Sequence, residues 1–456
     1  MNIKRNARLL LFCYIHNSFG AIFEIAHPLT IQQKQWWPWT AFFNSMYAKK
    51  ELATGKYPVD AEISGYIGHI PFWDTRQVQS IYEGFFLYAP LPIKDDPVGK
   101  DINAVGQFNM VEIESRVRGK LYGPEVLGAE SFGYFETDFL GTDVVAIRMR
   151  CFLAYLKLRW KNAGTYMLTG LYFHPMRLAH IDLDPKVISW NAGAPIHPKV
   201  RCPQFKIGKS WQNNLHLEII AMSEFDFTDF GPIGPSTEYL RRSLMPMFDI
   251  RLWLGPENTD HLIGVGFDIK RIMPRLVTEK CVRTRESLTS VAFDIYAKLT
   301  AKPLSVRTQF VWAQNAADYN MMGGYAVKCI DPATDVRSYT NINTLSYWID
   351  FNIDKKISPG FFAGYSKVLG TSSPIIPSIT NQATGVMENL VYTLIPNIKY
   401  MARLSPRIKF NVKPLVFGAE LEWTRAGYGT MQSSGKITQV KPVSNIRFLL
   451  ASYFFF

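Results

Sequence analysis

No apolar run past residue 20 approaches the roughly 18 residues that a membrane-spanning helix requires. Cysteine is scarce, five in 456 residues with no C-x-x-C pair, so neither a zinc ribbon nor a dithiol redox site is indicated. The net charge is +12, yet no five Lys/Arg residues are contiguous; without a basic arm, no nucleic-acid partner is expected. Catalytic motifs are missing too. Gly208-Lys209-Ser210 mimics the end of a phosphate loop, but Pro203 stands where its first glycine belongs. His174, His180 and His197 share one stretch without H-x-x-x-H spacing, and His69 and His216 have no assignable serine partner. The chain reads as a non-enzyme, with no cofactor or metal.

Aromatic residues, by contrast, make up 14% of the chain. They favour strands, and girdles of them mark both interfaces of a membrane barrel. Lys4, Arg5 and Arg8 precede apolar Leu9 to Ile15, and Ser18 and Gly20 flank Phe19, a pattern that predicts a secretory signal over 1–20. Phe12 directly before Cys13 argues against a lipoprotein. Residues 21–60, with Trp36-Trp37-Pro38-Trp39, read as an arm or plug segment whose role stays open.

From residue 61 to 456 the dominant signal is period two. Val111, Ile113, Ser115, Val117, Gly119 and Leu121 alternate with Glu112, Glu114, Arg116, Arg118 and Lys120. Five charges on one face of a strand suit a barrel with a wet interior. Similar alternation predicts strands near 62–72, 108–122, 130–139, 146–158, 165–174, 203–208, 214–223, 247–254, 261–271, 288–299, 303–313, 340–351, 359–369, 392–404, 407–423 and 443–456. Short connections alternate with long ones, the short link at 140–145 excepted, as periplasmic turns and external loops should. A further candidate, 323–327, would break that alternation and is placed inside an external loop. The connection 424–442 reads as a long loop, and a Cys281–Cys329 bridge between loops stays open. The chain closes on Phe448, Leu450, Phe454 and Phe456, which resembles the outer-membrane barrel assembly signal and supplies a last strand with one lipid-facing side. The expectation is an all-β, transmembrane antiparallel barrel of about sixteen strands, general-porin-like, in a bacterial outer membrane, with lipid and lipopolysaccharide around it.

Parity places Glu112, Glu114, Arg116, Arg118 and Lys120 inward, with Glu136 and Asp138 on the next strand and Arg148 and Arg150 beyond. Opposed charges across a narrow pore set up a transverse field, and a basic excess favours anions. Such Arg–Glu pairs can also serve as wall scaffolding. A sixteen-stranded lumen is too wide for strand side chains to fill. By analogy with general trimeric porins, the third external connection, 175–202, is expected to fold inward, its Asp182 and Asp184 facing the basic wall.

A family resemblance enters at these residues. Ser115-Arg116-Val117-Arg118-Gly119-Lys120-Leu121-Tyr122-Gly123-Pro124, Gly128-Ala129 to Asp138-Phe139, Ile147-Arg148-Met149-Arg150 and Gly170-Leu171-Tyr172-Phe173-His174-Pro175-Met176 are similar to the DcaP-like porins. Asp74-Thr75-Arg76-Gln77 and Asn191-Ala192-Gly193-Ala194-Pro195 resemble members found in Bacteroidota. The resemblance is best over 61–205. It implies a homotrimer with an arginine-rich constriction that passes small polar, preferentially anionic solutes such as dicarboxylates. No coiled-coil heptads occur in 22–60, so that family feature does not carry over. The rival reading is an outer-membrane barrel plugged by residues 22–60 or by loops, acting as a structural or secretion partner.

Overall fold

The computed structural model describes residues 59–456 apart from 144–145, 189–192, 257–260 and 381–386. The expected signal at 1–20, the arm up to residue 58, and Asn191-Ala192 lie outside the described residues. No described helix is long and apolar enough to cross a membrane.

Sixteen wall strands form one closed antiparallel sheet. They are β1 (Asp60–Asp74), β2 (Gln107–Val111 continued as Arg116–Tyr122), β3 (Glu130–Asp143), β4 (Ala146–Trp160), β5 (Thr165–Phe173) and β6 (Arg201–Ser210). β7 (Leu215–Met222), β8 (Met247–Leu254), β9 (His261–Ile272), β10 (Leu288–Ala301) and β11 (Leu304–Gln314) follow. β12 (Arg337–Ile353), β13 (Ile357–Thr371), β14 (Ile398–Val412), β15 (Leu415–Met431) and β16 (Ile437–Phe455) complete the wall. Each strand pairs with its sequence neighbour, and β1 pairs with both β2 and β16. At that seam Tyr66 lies opposite Phe455 and Asp74 opposite Arg447, and Gly65 and Phe456 exchange both backbone hydrogen bonds. No edge is left, which is the only way a sheet can cross lipid.

The strands form where they do because their outer faces are apolar. Along β8 burial alternates strictly, with Phe248, Ile250, Leu252 and Leu254 exposed and Asp249 and Arg251 buried. Ile263, Val265 and Phe267 on β9 lie opposite Leu254, Leu252 and Ile250, because directly opposed residues share a face. An apolar outer face on a closed barrel is stable only in hydrocarbon.

Turns at 123–129, 161–164, 211–214, 302–303, 354–356 and 413–414 lie at one end. The long loops 75–106, 174–200, 223–246, 273–287, 315–336 and 372–397 lie at the other. The turn expected at 405–406 lies instead within β14, where Ser405 and Arg407 continue the buried inner face, and the chain turns at 413–414. One external connection also differs from the sequence expectation. β15 and β16 keep pairing as far as Met431 and Ile437, so 424–442 is a tall hairpin closed by a short turn instead of a long loop. Its polar residues stand above the lipid and carry no alternation to read. Residues Gly324–Ile330 do form a strand, paired to β12 and to Val391–Thr393, but within the sixth external loop and outside the wall. Cys281 and Cys329 are free thiols.

Inside the seam, Arg447 is fully buried and binds Asp74 through two nitrogens at 2.9 and 2.7 Å, and donates to the carbonyls of Gly84 and Phe85. The pair therefore joins the last strand, the first strand and the first external loop. Removing one partner of a buried ion pair leaves an uncompensated charge, at a cost of about 3–5 kcal/mol. Asp74→Ala is expected to lower the temperature at which the folded band is lost in heat-modifiable electrophoresis; an unchanged transition would show that the carbonyls alone hold Arg447.

Candidate pore constriction

Beyond β5 the chain turns into the barrel. His174 caps a short 3-10 turn (Pro175–Arg177), its Nδ1 accepting from the Met176 amide at 3.2 Å. Leu178 and Asp182, both at positive φ, bracket a second turn (Ala179–Ile181). Leu178, Leu183, Ala194 and Ile196 are fully buried against Trp348, Phe362 and Met401 of the facing wall, with Phe86 of the first loop. That apolar packing inside the lumen is a departure from a uniformly wet interior. Polar ties complete it. The Lys186 and Ile188 amides donate to Asp350 and Glu420, each at 3.0 Å; Ser346 donates to the Ile196 carbonyl at 2.5 Å and Arg403 to that of Ala194. The third loop, 174–200, is thus fastened across the lumen to β12, β14 and β15.

Asp182 and Asp184 meet different cations from those the sequence suggested. Asp182 accepts from Lys298 of β10 at 2.8 Å and from Arg307 of β11 at 3.3 Å, and pairs with Lys186. Burial opposes its ionisation, but these cations hold its pKa down to about 2. Asp184 pairs with Arg177 at 2.9 Å and His197 at 2.8 Å within the loop itself; burial again opposes, and these partners keep its carboxyl ionised.

On that wall four guanidiniums gather. Arg116 and Arg118 pair with Glu136 at 2.9 and 3.2 Å. Arg150 grips Asp138 through two nitrogens at 2.9 and 2.8 Å, reaches Asp226 at 3.4 Å and donates to the Tyr82 hydroxyl at 2.7 Å. Arg201, at the start of β6, binds Asp226 at 2.5 and 3.0 Å. Three of the four lie over one ring: Phe152 has Arg116 at 3.7 Å, Arg201 at 4.2 Å and Arg150 at 6.0 Å from its centroid. Phe152 is the unpaired residue of a β-bulge, for Glu136 pairs with Leu153 and Thr137 with Cys151. Bulges re-aim side chains, and cation–π attraction offsets part of the repulsion among the arginines. Four cations share three carboxylates here, a local positive excess.

The remaining predicted residues are dispersed. Lys120 pairs with Glu62 at 3.0 Å near the turn end. Arg148 is exposed, opposite Gly141 near the loop end. Glu114 is buried and accepts from Tyr453 at 3.1 Å. Glu112 is a correction: it faces outward. A turn over 112–115, closed by the Ser115 amide on the Glu112 carbonyl, breaks β2 and resets its parity, so Val111 points in and Glu112 out. There it meets His69 at 2.7 Å, and His69 lies opposite Ser452 between outward Leu450 and Phe454.

Sequence reading missed Arg201, Asp226, Arg177 and Lys199, which lie in or beside loops where no alternation marks direction. It also assigned no serine to His216, whereas Ser210 stands 2.8 Å from its Nδ1 and the Gly255 carbonyl 2.8 Å from its Nε2. Both ring nitrogens are thus taken, one by a hydroxyl and one by a carbonyl, and the pair ties two turns together. Further inward pairs, Lys206–Glu218 at 3.0 Å, Arg251 with Asp249 and Asp294 at 3.1 Å, and Arg407–Asp350 at 2.7 Å, are almost wholly buried and belong to the wall.

No family model and no curated protein matches the chain. Among solved structures it is similar to the outer membrane channel DcaP of Acinetobacter baumannii, at 13% identity and TM-score 0.61, covering 87% of this chain and 97% of that one. The anion-selective porin from Comamonas acidovorans aligns at 7% identity and TM-score 0.48, over 87% of this chain and 100% of that one. The chain is an outer-membrane β-barrel of porin fold.

Asp226 is shared by Arg150 and Arg201. Asp226→Asn is expected to leave Arg201 without this carboxylate and Arg150 with Asp138, and to shift the zero-current potential in a salt gradient toward anion preference. No shift would mean that these arginines are sealed from the conducting path.

Proposed function

We propose that this barrel is a porin whose lumen admits small hydrophilic solutes and prefers anions. The observation that carries the reading is the cluster of four guanidiniums with three carboxylates on one wall, across from a loop fastened to the other wall. Arg118 and Arg150 keep partial exposure, so part of this positive field reaches solvent and favours anion entry. The DcaP-like resemblance agrees with that sign. Small dicarboxylates suit two separated guanidiniums, since each carboxylate can take a bidentate fork.

The proposed assembly is a homotrimer. His69 and Glu112 form a polar pair on the outer face, where lipid would leave both poorly solvated. A second copy covering this face accounts for that pair.

The buried apolar cluster of Phe86, Leu178, Ile196, Trp348 and Phe362 inside the barrel favours the second reading, a plugged barrel with a structural or secretion role. Planar-bilayer recording separates the two. The porin reading expects three equal closures and anion preference, reduced in the Arg116→Ser, Arg118→Ser, Arg150→Ser triple variant. Silence from folded trimer would support the plug, and an unchanged reversal potential in the variant would make these arginines scaffolding.

Lys199 adds a pH dependence. It is buried in the third loop, facing Asp184, Arg177, Glu114 and Glu420, and burial pushes its ammonium down to about 7 against the pull of Asp184. Below that pH it is charged, above it neutral. Anion preference should therefore rise between pH 8 and 6, and Lys199→Met should reduce the step, burial having pushed Glu114 beside it up to about 7 as well; a pH-independent wild type would exclude a role for this lysine.

A further inference from the structure

Outside the constriction, the fourth and sixth external loops bring three carboxylates together against the outer end of β9. Glu224 and Asp229 come from the fourth loop and Asp318 from the sixth; one oxygen of each lies within 4.8 Å of the others, and all three residues are buried. A single ammonium serves them. Lys270 donates to Asp229 Oδ1 at 3.0 Å, to Asp318 Oδ1, and to the Asn315 carbonyl at 2.8 Å. Asn315 gives its Nδ2 to Asp229 at 2.7 Å.

That ammonium uses only half of what is there. Asp229 Oδ2, Asp318 Oδ2, both oxygens of Glu224 and Asn315 Oδ1 are buried without a hydrogen-bond donor among the described residues. Glu224, 93% buried by its 7% exposure, has no donor on either oxygen, yet its carboxylate is aimed at two others. Three buried carboxylates facing one lysine repel unless a further positive charge lies among them. Every unpartnered atom is an oxygen, the donor set of a hard cation. A cage made wholly of protein oxygens suits calcium, whereas magnesium usually keeps several of its waters.

We propose that Glu224, Asp229 and Asp318, with Asn315, bind a divalent cation of calcium type that fastens the fourth and sixth loops to each other and to the barrel rim. Lys270 holds one oxygen of Asp229 and one of Asp318, and the ion takes the remaining ones. The site is independent of whether the lumen conducts.

The test uses the full chain refolded in detergent without lipopolysaccharide, which itself holds divalent cations. Terbium is the probe, with luminescence sensitised by Tyr319, whose ring lies 5.3 Å from the Lys270 ammonium. Saturable luminescence displaced by calcium is expected, with affinity reduced roughly tenfold or more in Glu224→Gln as one ligand charge is lost, and unchanged in Glu238→Gln, an acid of the same loop outside the cluster. Should Glu224→Gln fail to fold, wild type alone decides. Tryptic cleavage at exposed Arg241 of the fourth loop should be slower in calcium than in chelator. Absence of saturable terbium luminescence from heat-modifiable protein, equal affinity in Glu224→Gln, or cleavage indifferent to calcium overturns the proposal. So does stabilisation by low pH without metal binding, the signature of a shared proton in place of an ion.

Discussion

A sheet edge in hydrocarbon exposes a row of amide groups that nothing can satisfy, and this molecule is organised around avoiding that edge. The seam between β1 and β16 supplies the closure: backbone pairing from Tyr66 to Asp74 on one side and from Phe455 to Arg447 on the other. Closure alone makes inside and outside distinct, so the alternation of every strand acquires its meaning from it. The two terminal wall strands also carry the inner clasp, Arg447 on Asp74, and through the Gly84 and Phe85 carbonyls that clasp orients the first loop over the lumen.

With the wall closed, charge inside it is governed by water. Where the third loop lies against β12, β14 and β15, water is excluded and the charges are matched: Arg407 with Asp350, Arg403 with Glu422. A mismatch there would be paid in stability. Beside β2–β4, four arginines and three acids gather around Phe152, with Arg118 and Arg150 partly exposed. The same residue types are therefore matched and buried on one side of the barrel and partly open to solvent on the other. What divides them is the path of residues 174–200, set by the apolar anchors Leu178, Leu183 and Ile196.

The strands were legible because a lipid-facing side and a lumen-facing side impose period two, and each predicted segment overlaps the wall, although 407–423 runs across the turn at 413–414, because Ser405-Pro406 reads as a turn yet lies within β14. Legibility ended where that constraint ends. Glu112-Ile113-Glu114-Ser115 looks like continued alternation, yet a turn consumes those residues and flips Glu112 outward; a local hydrogen bond outweighs the pattern. The β15–β16 hairpin above the lipid has no apolar face to announce it. Ties such as Lys186 to Asp350 and Ile188 to Glu420 join residues 164 and 232 apart, and nothing in a single sequence brings such pairs together. The Arg–acid cluster was half visible: Arg116, Arg118, Arg150, Glu136 and Asp138 lie on strands, while Asp226 lies in a loop and Arg201 at a strand start.

The outward turn of Glu112 bears on assembly. Elsewhere the outer surface obeys the solvent it meets, with Ile250, Phe267, Ile295 and Phe310 toward lipid. At His69 and Glu112 it does not. A carboxylate facing hydrocarbon is stable only with a polar partner and a reduced exposure to the chains around it, and His69 supplies the first but not the second, for both side chains remain about half exposed. In the proposed trimer a neighbouring protein surface supplies the second. The glycines at 65 and 119 on the same face do not leave it bare, for Phe456 and Phe135 lie over them. The polar pair on β1 and β2 would thus set the proposed contact with a second copy beside the seam, against the strands whose pairing closes the barrel.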